Sequence, residues 1–357
     1  MIEYYKTFLD WPVAEAPTTP LTVSEAIAST NAATDAAAED DDDVRPQPAV
    51  ITRRVGHLSE GCWVSVTDPT DEEAEWLRDE LGIVPEFLNA ALDDEETSHV
   101  DFDDDTGQTL VIVDCPFVES DEDSVDSSII QYDTHPLAML FIPERDLMVT
   151  VSLGGDSTVD AATGGKLHHL DTDRHARMLL VFLLHISQRY LVALRSINRQ
   201  FRENERKLRR SMSNSDLMKM LGFEKSLVYF STSLRGLDAT LVRIGYGRIV
   251  LLHEGDRDLL EDVQIEVKQA LEMCTISTTV LDETMDTFGS LINNNLNLTM
   301  RTLAIITLVL SMPTMVFSFY GMNTPLPFDR DWAFPLSAAV LLSFISAVWI
   351  RNSRRMR

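Results

Sequence analysis

Four hydroxyl side chains, Thr307, Ser311, Thr314 and Ser318, interrupt an otherwise apolar stretch at steps of four, three and four residues. On a helix of about 3.6 residues per turn that spacing puts all four on one face. Followed toward lower numbers, the same face takes in Leu303, Met300 and, slightly offset, Asn297. Neutral oxygens in such a segment can exchange hydrogen bonds with water or a hydrated ion. They can also fill helix–helix contacts or bond back to their own helix. Four in register, with Asn297 below and Asn323 above, are more than packing needs.

The elements that must carry this face are membrane spans. Leu303–Tyr320 holds no charged residue, nor does Trp332–Ile350, and each is about long enough to cross a ~30 Å hydrocarbon core. Only Gly321–Asp331 lies between them, so the two form a hairpin. Arg301 precedes the first span, and Arg351, Arg354, Arg355 and Arg357 follow the second. Positive-inside logic then puts both termini in the cytosol. The second span is apolar nearly all round, which suits lipid. Two helices cannot enclose a pore, but several hairpins around an axis can, with the hydroxyl face turned inward. Pro313 removes one backbone bond from the first span, through a kink or through packing accommodation.

Upstream, residues 1–11 read as a short N-terminal strand and 12–52 as an acidic, disordered insert including the run Glu39–Asp43. A cytosolic α/β or α+β domain is expected over 53–170. Its strands are read at His99–Asp103, Thr109–Phe117, Ser128–Tyr132, Ala138–Ile142 and Leu147–Ser152. Two long antiparallel helices fill 171–250, and a stalk helix over 255–302 runs without a stop into the first span at 303–320. A helix of ~60 residues is ~90 Å long, and such a stalk needs partners. The loop 321–331, the second span 332–350 and a basic cytosolic tail 351–357 complete the chain.

The chain has 357 residues, of which 57 are acidic and 30 basic, a formal net charge of -27. That balance excludes nucleic acid, whose phosphates would be repelled. Cys62, Cys115 and Cys274 form no CxxC pair, which fits a reducing compartment. The N-terminus lacks the apolar core of a secretory signal, and no phosphate-binding GxxxxGK[ST] loop occurs. His168, His169, Asp171, Asp173 and His175 could ligate a transition metal or simply populate a polar loop-to-helix junction.

At the outer end of the first span stands Tyr320-Gly321-Met322-Asn323. Gly321 alone could be a helix C-cap. With the Asn-rich run before the span, the polar-striped helix, the short loop, the apolar helix and the Arg-rich tail, the sequence resembles the CorA magnesium-transporter family, whose hallmark is GMN at this place. The resemblance runs from GCWVSVTDPT through FEKSLVYFSTSL to the tail and leaves out the insert.

The resemblance implies a homopentameric funnel with an α+β cytosolic domain, long stalk helices and a two-helix transmembrane hairpin in the cell membrane. It also implies a transporter and not an enzyme. Gly321, Met322 and Asn323 would be the selectivity filter. Mg²⁺ gives up its waters reluctantly, and a ring of neutral Asn323 amides can hold those waters weakly enough to release the ion. Leu303 and Met300 would form an apolar constriction that blocks by dewetting. Asp329 and Asp331 would concentrate cations at the mouth, or belong to an ordinary solvated loop. Mg²⁺ is then both cargo and regulator, bridging carboxylates between subunits to close the pore. Asp262 falls at the stalk sensor position. The partner position holds Ala90, with Asp93 and Asp94 nearby as substitutes that also suit a helix end. Zinc, Co²⁺ or Ni²⁺ transport within the same superfamily is the competing cargo, and a membrane-anchored coiled-coil scaffold the competing class.

Overall fold

The computed structural model describes residues 1–10, 49–119, 131–167, 170–210, 213–247, 250, 252–322 and 333–355. They fall into two compact units, Met1–Thr279 and Val280–Arg357.

The first unit is built on a seven-stranded sheet: β1 (Ile2–Asp10), β2 (Ala49–Val55), β3 (Trp63–Thr67), β4 (His99–Phe102), β5 (Thr109–Glu119), β6 (Gln131–Ile142) and β7 (Leu147–Ser152), in the order β2-β1-β3-β7-β6-β5-β4. Only β3 and β7 pair in parallel. Every residue of β7 is buried, as a central strand covered on both faces requires.

Period-two alternation divides the sheet residues between two layers. Val64, Val66, Leu110, Ile112, Leu140 and Val149 point to one side. There α1 (Asp71–Asp79) and α2 (Pro85–Ala91) cover them with Leu77, Phe87 and Leu88. Helix α1 starts where sequence chemistry says it should. Asp68 takes a left-handed turn (φ 47°), and Thr70 and Glu73 form a reciprocal capping box.

On the other side, Trp63 packs edge-on against Phe182 at 5.5 Å and donates its indole N–H to Thr150 Oγ1 at 2.9 Å. Phe182 belongs to α4 (His175–Leu208), which follows the short α3 (Ser157–Thr163) and precedes α5 (Asn214–Gly245). Tyr190 of α4 meets Phe230 of α5 at 5.0 Å and donates to the Asp114 carbonyl at 2.9 Å.

Helix α6 (Glu254–Tyr320) is a single element of 67 residues. In the first unit it buries Leu260, Val263, Val267, Ala270 and Cys274 at alternating steps of three and four. Cys274 donates to the Leu227 carbonyl of α5 at 3.3 Å, and Ser277 to Asn198 of α4 at 2.9 Å. The second unit consists of the rest of α6 and of α7 (Ala333–Arg355), which carries helix on into the expected tail.

Some element boundaries differ from the sequence reading. The runs at Ser128–Tyr132 and Ala138–Ile142 belong to one strand, β6, as far as it is described. Residues 49–52, read as insert, are in β2. Helix α3, not anticipated, is capped by Asp156, whose carboxylate accepts from the N–H groups of Thr158 and Val159. The remainder of the insert, His168, His169, Asn323, Asp329 and Asp331 lie outside the described residues.

Candidate functional site

Within the second unit, α6 and α7 meet along one face of each. From Leu291 onward the half-buried residues of α6 are Ile305, Val309, Met312, Val316 and Tyr320, spaced by four, three, four and four, together with Pro313. Helix α7 offers Pro335, Ala338, Ala339, Ser343 and Ser346 as its buried or half-buried positions. Small residues let two helices approach closely where no hydrophobic effect drives them together. Tyr320 and Phe334 meet edge-on at 6.1 Å at one end. A cleft of about 490 Å³ bordered by Val316, Tyr320, Ala338 and Leu342 lies along the seam.

The hydroxyl face points elsewhere. Helical spacing sets Thr307, Ser311 and Thr314 on the side of α6 opposite the Ile305–Val309–Val316 contact, and all three are exposed. Ser318 is exposed too and borders the cleft. Helix packing inside the hairpin therefore does not account for the first three. The back-bonding alternative holds for the same three: Thr307 donates to the Leu303 carbonyl at 2.9 Å, Ser311 to Leu308 at 2.8 Å and Thr314 to Leu310 at 3.1 Å. Each oxygen then keeps acceptor lone pairs while its one proton is committed.

Below this stripe Asn297 is exposed, as are Met300 (58 %) and Leu303 (57 %), two large apolar side chains. Above it, the Gly321 N–H donates to the Phe317 carbonyl at 2.9 Å and the Met322 N–H to Phe319 at 3.4 Å. Gly321 is not among the glycines with positive φ, so the left-handed cap does not explain it. A Cβ there would stand 3.1 Å from the Phe317 carbonyl oxygen.

The expected regulatory carboxylates are exposed: Asp262 on α6, Asp93 and Asp94 in the turn after α2. Asp93 accepts from the Glu95 N–H at 3.0 Å, the local turn role also open to it. Among the described residues no group of three His, Cys, Asp or Glu side chains could hold a metal, and of the histidine-rich cluster only Asp171, Asp173 and His175 are described.

Sequence reading missed one charged cluster. The Asp256 carboxylate, fully buried, accepts from Arg174 at 2.9 Å, lies 3.5 Å from Arg177 and also accepts from the His253 N–H at 3.1 Å. It ties the start of α6 to the start of α4. The available signal was an acid in the first turn of one helix and two arginines three apart opening another. A second buried carboxylate, Asp156, is opposed by its burial. His135 at 2.9 Å and the Val159 N–H nonetheless hold it down at about 2.

The family model described as CorA-like Mg²⁺ transporter protein matches residues 59–351. The chain belongs to that family. The cobalt/magnesium transport protein CorA of Methanocaldococcus jannaschii is 28 % identical over 270 residues, covering 73 % of this chain and 79 % of the relative. The complete structure of the CorA magnesium transporter from the same organism matches with a TM-score of 0.71 at 24 % identity, over 85 % of this chain and 95 % of that one. The full-length CmaX protein matches with a TM-score of 0.60 at 14 % identity, over 88 % and 91 %. These two structures speak to the fold. Family membership makes this CorA-family chain a membrane-bound divalent-cation transporter and not an enzyme, which removes the scaffold alternative.

Helices α4 and α6 are both long and apolar enough to cross a bilayer. The most apolar stretch of α4 is 67 % buried within its own unit, that of α6 only 6 %. In this CorA-family chain α6, not α4, is left with apolar surface for lipid or for other copies.

Proposed function

We propose that this chain forms a homopentameric channel that lets hydrated Mg²⁺ into the cytosol. The observation that carries the reading is the hydroxyl stripe of α6. Thr307, Ser311 and Thr314 face away from α7, and their hydroxyl protons are spent on helix carbonyls. Waters around a cation present their hydrogens outward, so a wall of acceptor-only oxygens suits them. Several copies of α6 around an axis would turn that wall inward.

Asn323 would form the entrance filter, with Gly321 and Met322 shaping its approach. Gly321 leaves the Phe317 carbonyl uncrowded where any side chain would press on it. Asp329 and Asp331 would gather cations outside. Asn297, Met300 and Leu303 would close the cytosolic end, where two exposed apolar side chains per subunit can expel water from a narrow pore. With both termini in the cytosol, a divalent ion moving down 100 mV gains ~4.6 kcal/mol, enough to drive entry without ATP. Mg²⁺ held between Asp262 of one subunit and Asp93 or Asp94 of the next would favour the closed state.

In proteoliposomes Asn323→Ala should abolish Mg²⁺ uptake while pentamer assembly persists. Undiminished uptake by an assembled variant would sink the filter assignment. Because one relative is named for cobalt as well as magnesium, the same assay run with Co²⁺, Ni²⁺ and Zn²⁺ ranks the cargo.

A further inference from the structure

The first unit carries its charge unevenly. Between residues 71 and 105, which form α1, α2, β4 and their turns, fifteen side chains are Asp or Glu and one is Arg. Asp71, Glu72, Glu75, Glu80, Glu86 and Asp94 of this layer are exposed. The ion pairs within it are few: Arg78 with Asp79, His99 with Glu96 and Asp101, and Glu73 with the chain's own amino group. Four exposed arginines, Arg195, Arg199, Arg202 and Arg206, sit on α4, packed against the other face of the sheet. The exposed Arg145 and Arg235, which stand nearer, form no ion pair with the described residues of the layer.

We propose that this acidic layer makes the fold depend on ionic strength: hydrated alkali cations at concentrations far above ordinary cytosolic salt serve as its counter-ions. The distances decide the matter. On α1, Asp71 and Glu75, Glu72 and Glu75, and Glu75 and Asp79 are three or four residues apart, a spacing that sets Cβ atoms about 5–6 Å from each other. The screening length is about 8 Å at ~0.15 M salt and about 3 Å at ~1 M. These carboxylates therefore repel one another across most of their spacing at ordinary salt, and molar salt suppresses the repulsion. A net charge of -27 adds long-range self-repulsion of the same sign. An ordinary surface laced with ion pairs would respond the other way, weakening as salt rises.

The test is thermal unfolding of the full chain in detergent, with EDTA present so that bound Mg²⁺ plays no part. The midpoint should fall by on the order of 5–10 °C as KCl drops from about 2 M to about 0.1 M. In the triple variant Glu72→Gln, Glu75→Gln, Glu80→Gln that fall should be clearly smaller, because fewer carboxylates remain to be screened. A midpoint that stays level or rises as KCl is removed overturns the proposal. So does a triple variant with the parent's full salt dependence, which would mean salt acts through general exclusion from the protein surface.

Discussion

Helix α6 lives in two solvents, and its two stretches obey different rules. In the first unit its inward positions Val263, Val267, Ala270 and Cys274 are all 0 % exposed, and its buried polar groups, Asp256 and Ser277, are bonded to α4 or its N-terminal edge. From Leu291 onward the large apolar side chains are exposed or half-buried, Leu310 at 65 % and Met315 at 73 % among them. In the lower stretch, burial by α4 and α5 satisfies the apolar face. In the upper stretch, among the described residues, only α7 covers it, along one side, which leaves the rest for lipid or for other copies. What distinguishes the stretches is where the polar groups go. Lower down they are exposed, half-buried or, like Asp256 and Ser277, paired with a partner inside the unit. Higher up, Thr307, Ser311 and Thr314 gather on the side that α7 leaves open.

If that contrast is right, damage to the two stretches should separate transport from stability. The largest effect belongs to Leu303→Gly. Removing the constriction should give Mg²⁺ flux that no longer falls when internal Mg²⁺ is raised, read in proteoliposomes loaded with increasing Mg²⁺. Retained inhibition would mean that the gate lies elsewhere. Next comes the pair Thr307→Val with Thr314→Val, which keeps shape and removes two acceptors. At about 1 kcal/mol per lost hydrogen bond, uptake should drop roughly ten-fold or more with the melting midpoint unchanged. Equal flux in parent and variant would make the stripe a packing feature. The smallest effect tests the comparison from below. Val267→Ala should lower stability by about 2 kcal/mol with uptake per folded channel unaltered. Leu341→Ala on the exposed side of α7 should stay within about 0.5 kcal/mol. If Leu341→Ala proves the more damaging, that side of α7 is a protein contact and not a lipid face.

The hairpin, the long helices and the stripe were readable because each rests on a periodic signal many residues long. The strands were harder. The stretch Asp133-Thr134-His135-Pro136 reads as a turn, yet it lies within β6. Pro136 pairs only with Asp114 of β5, since the β6–β7 ladder begins at Leu137 opposite Ser152, so its missing N–H leaves no partner unpaired. Strand β2 escaped because its partner β1 ends at Asp10, far back in the sequence, and Arg53 and Arg54 gave it the look of polar surface. No local pattern announces a pairing made across such a gap. The Asp256 cluster was hidden for a related reason. Its arginines stand some eighty positions away, and nothing near Asp256 says that it is buried. The proposed regulatory carboxylates are a different case, because a site shared between copies would leave no trace in the contacts of one chain.

The β1–β2 pairing also has a practical side. Among the described residues strand β2 is the edge of the sheet, hydrogen-bonded on one side, and the chain between Asp10 and Ala49 connects it to its antiparallel partner β1. Lengthening such a connection adds only about 0.6 kcal/mol per doubling. A fluorescent protein could therefore be spliced into this link without displacing either chain end, turning the transporter into its own optical reporter.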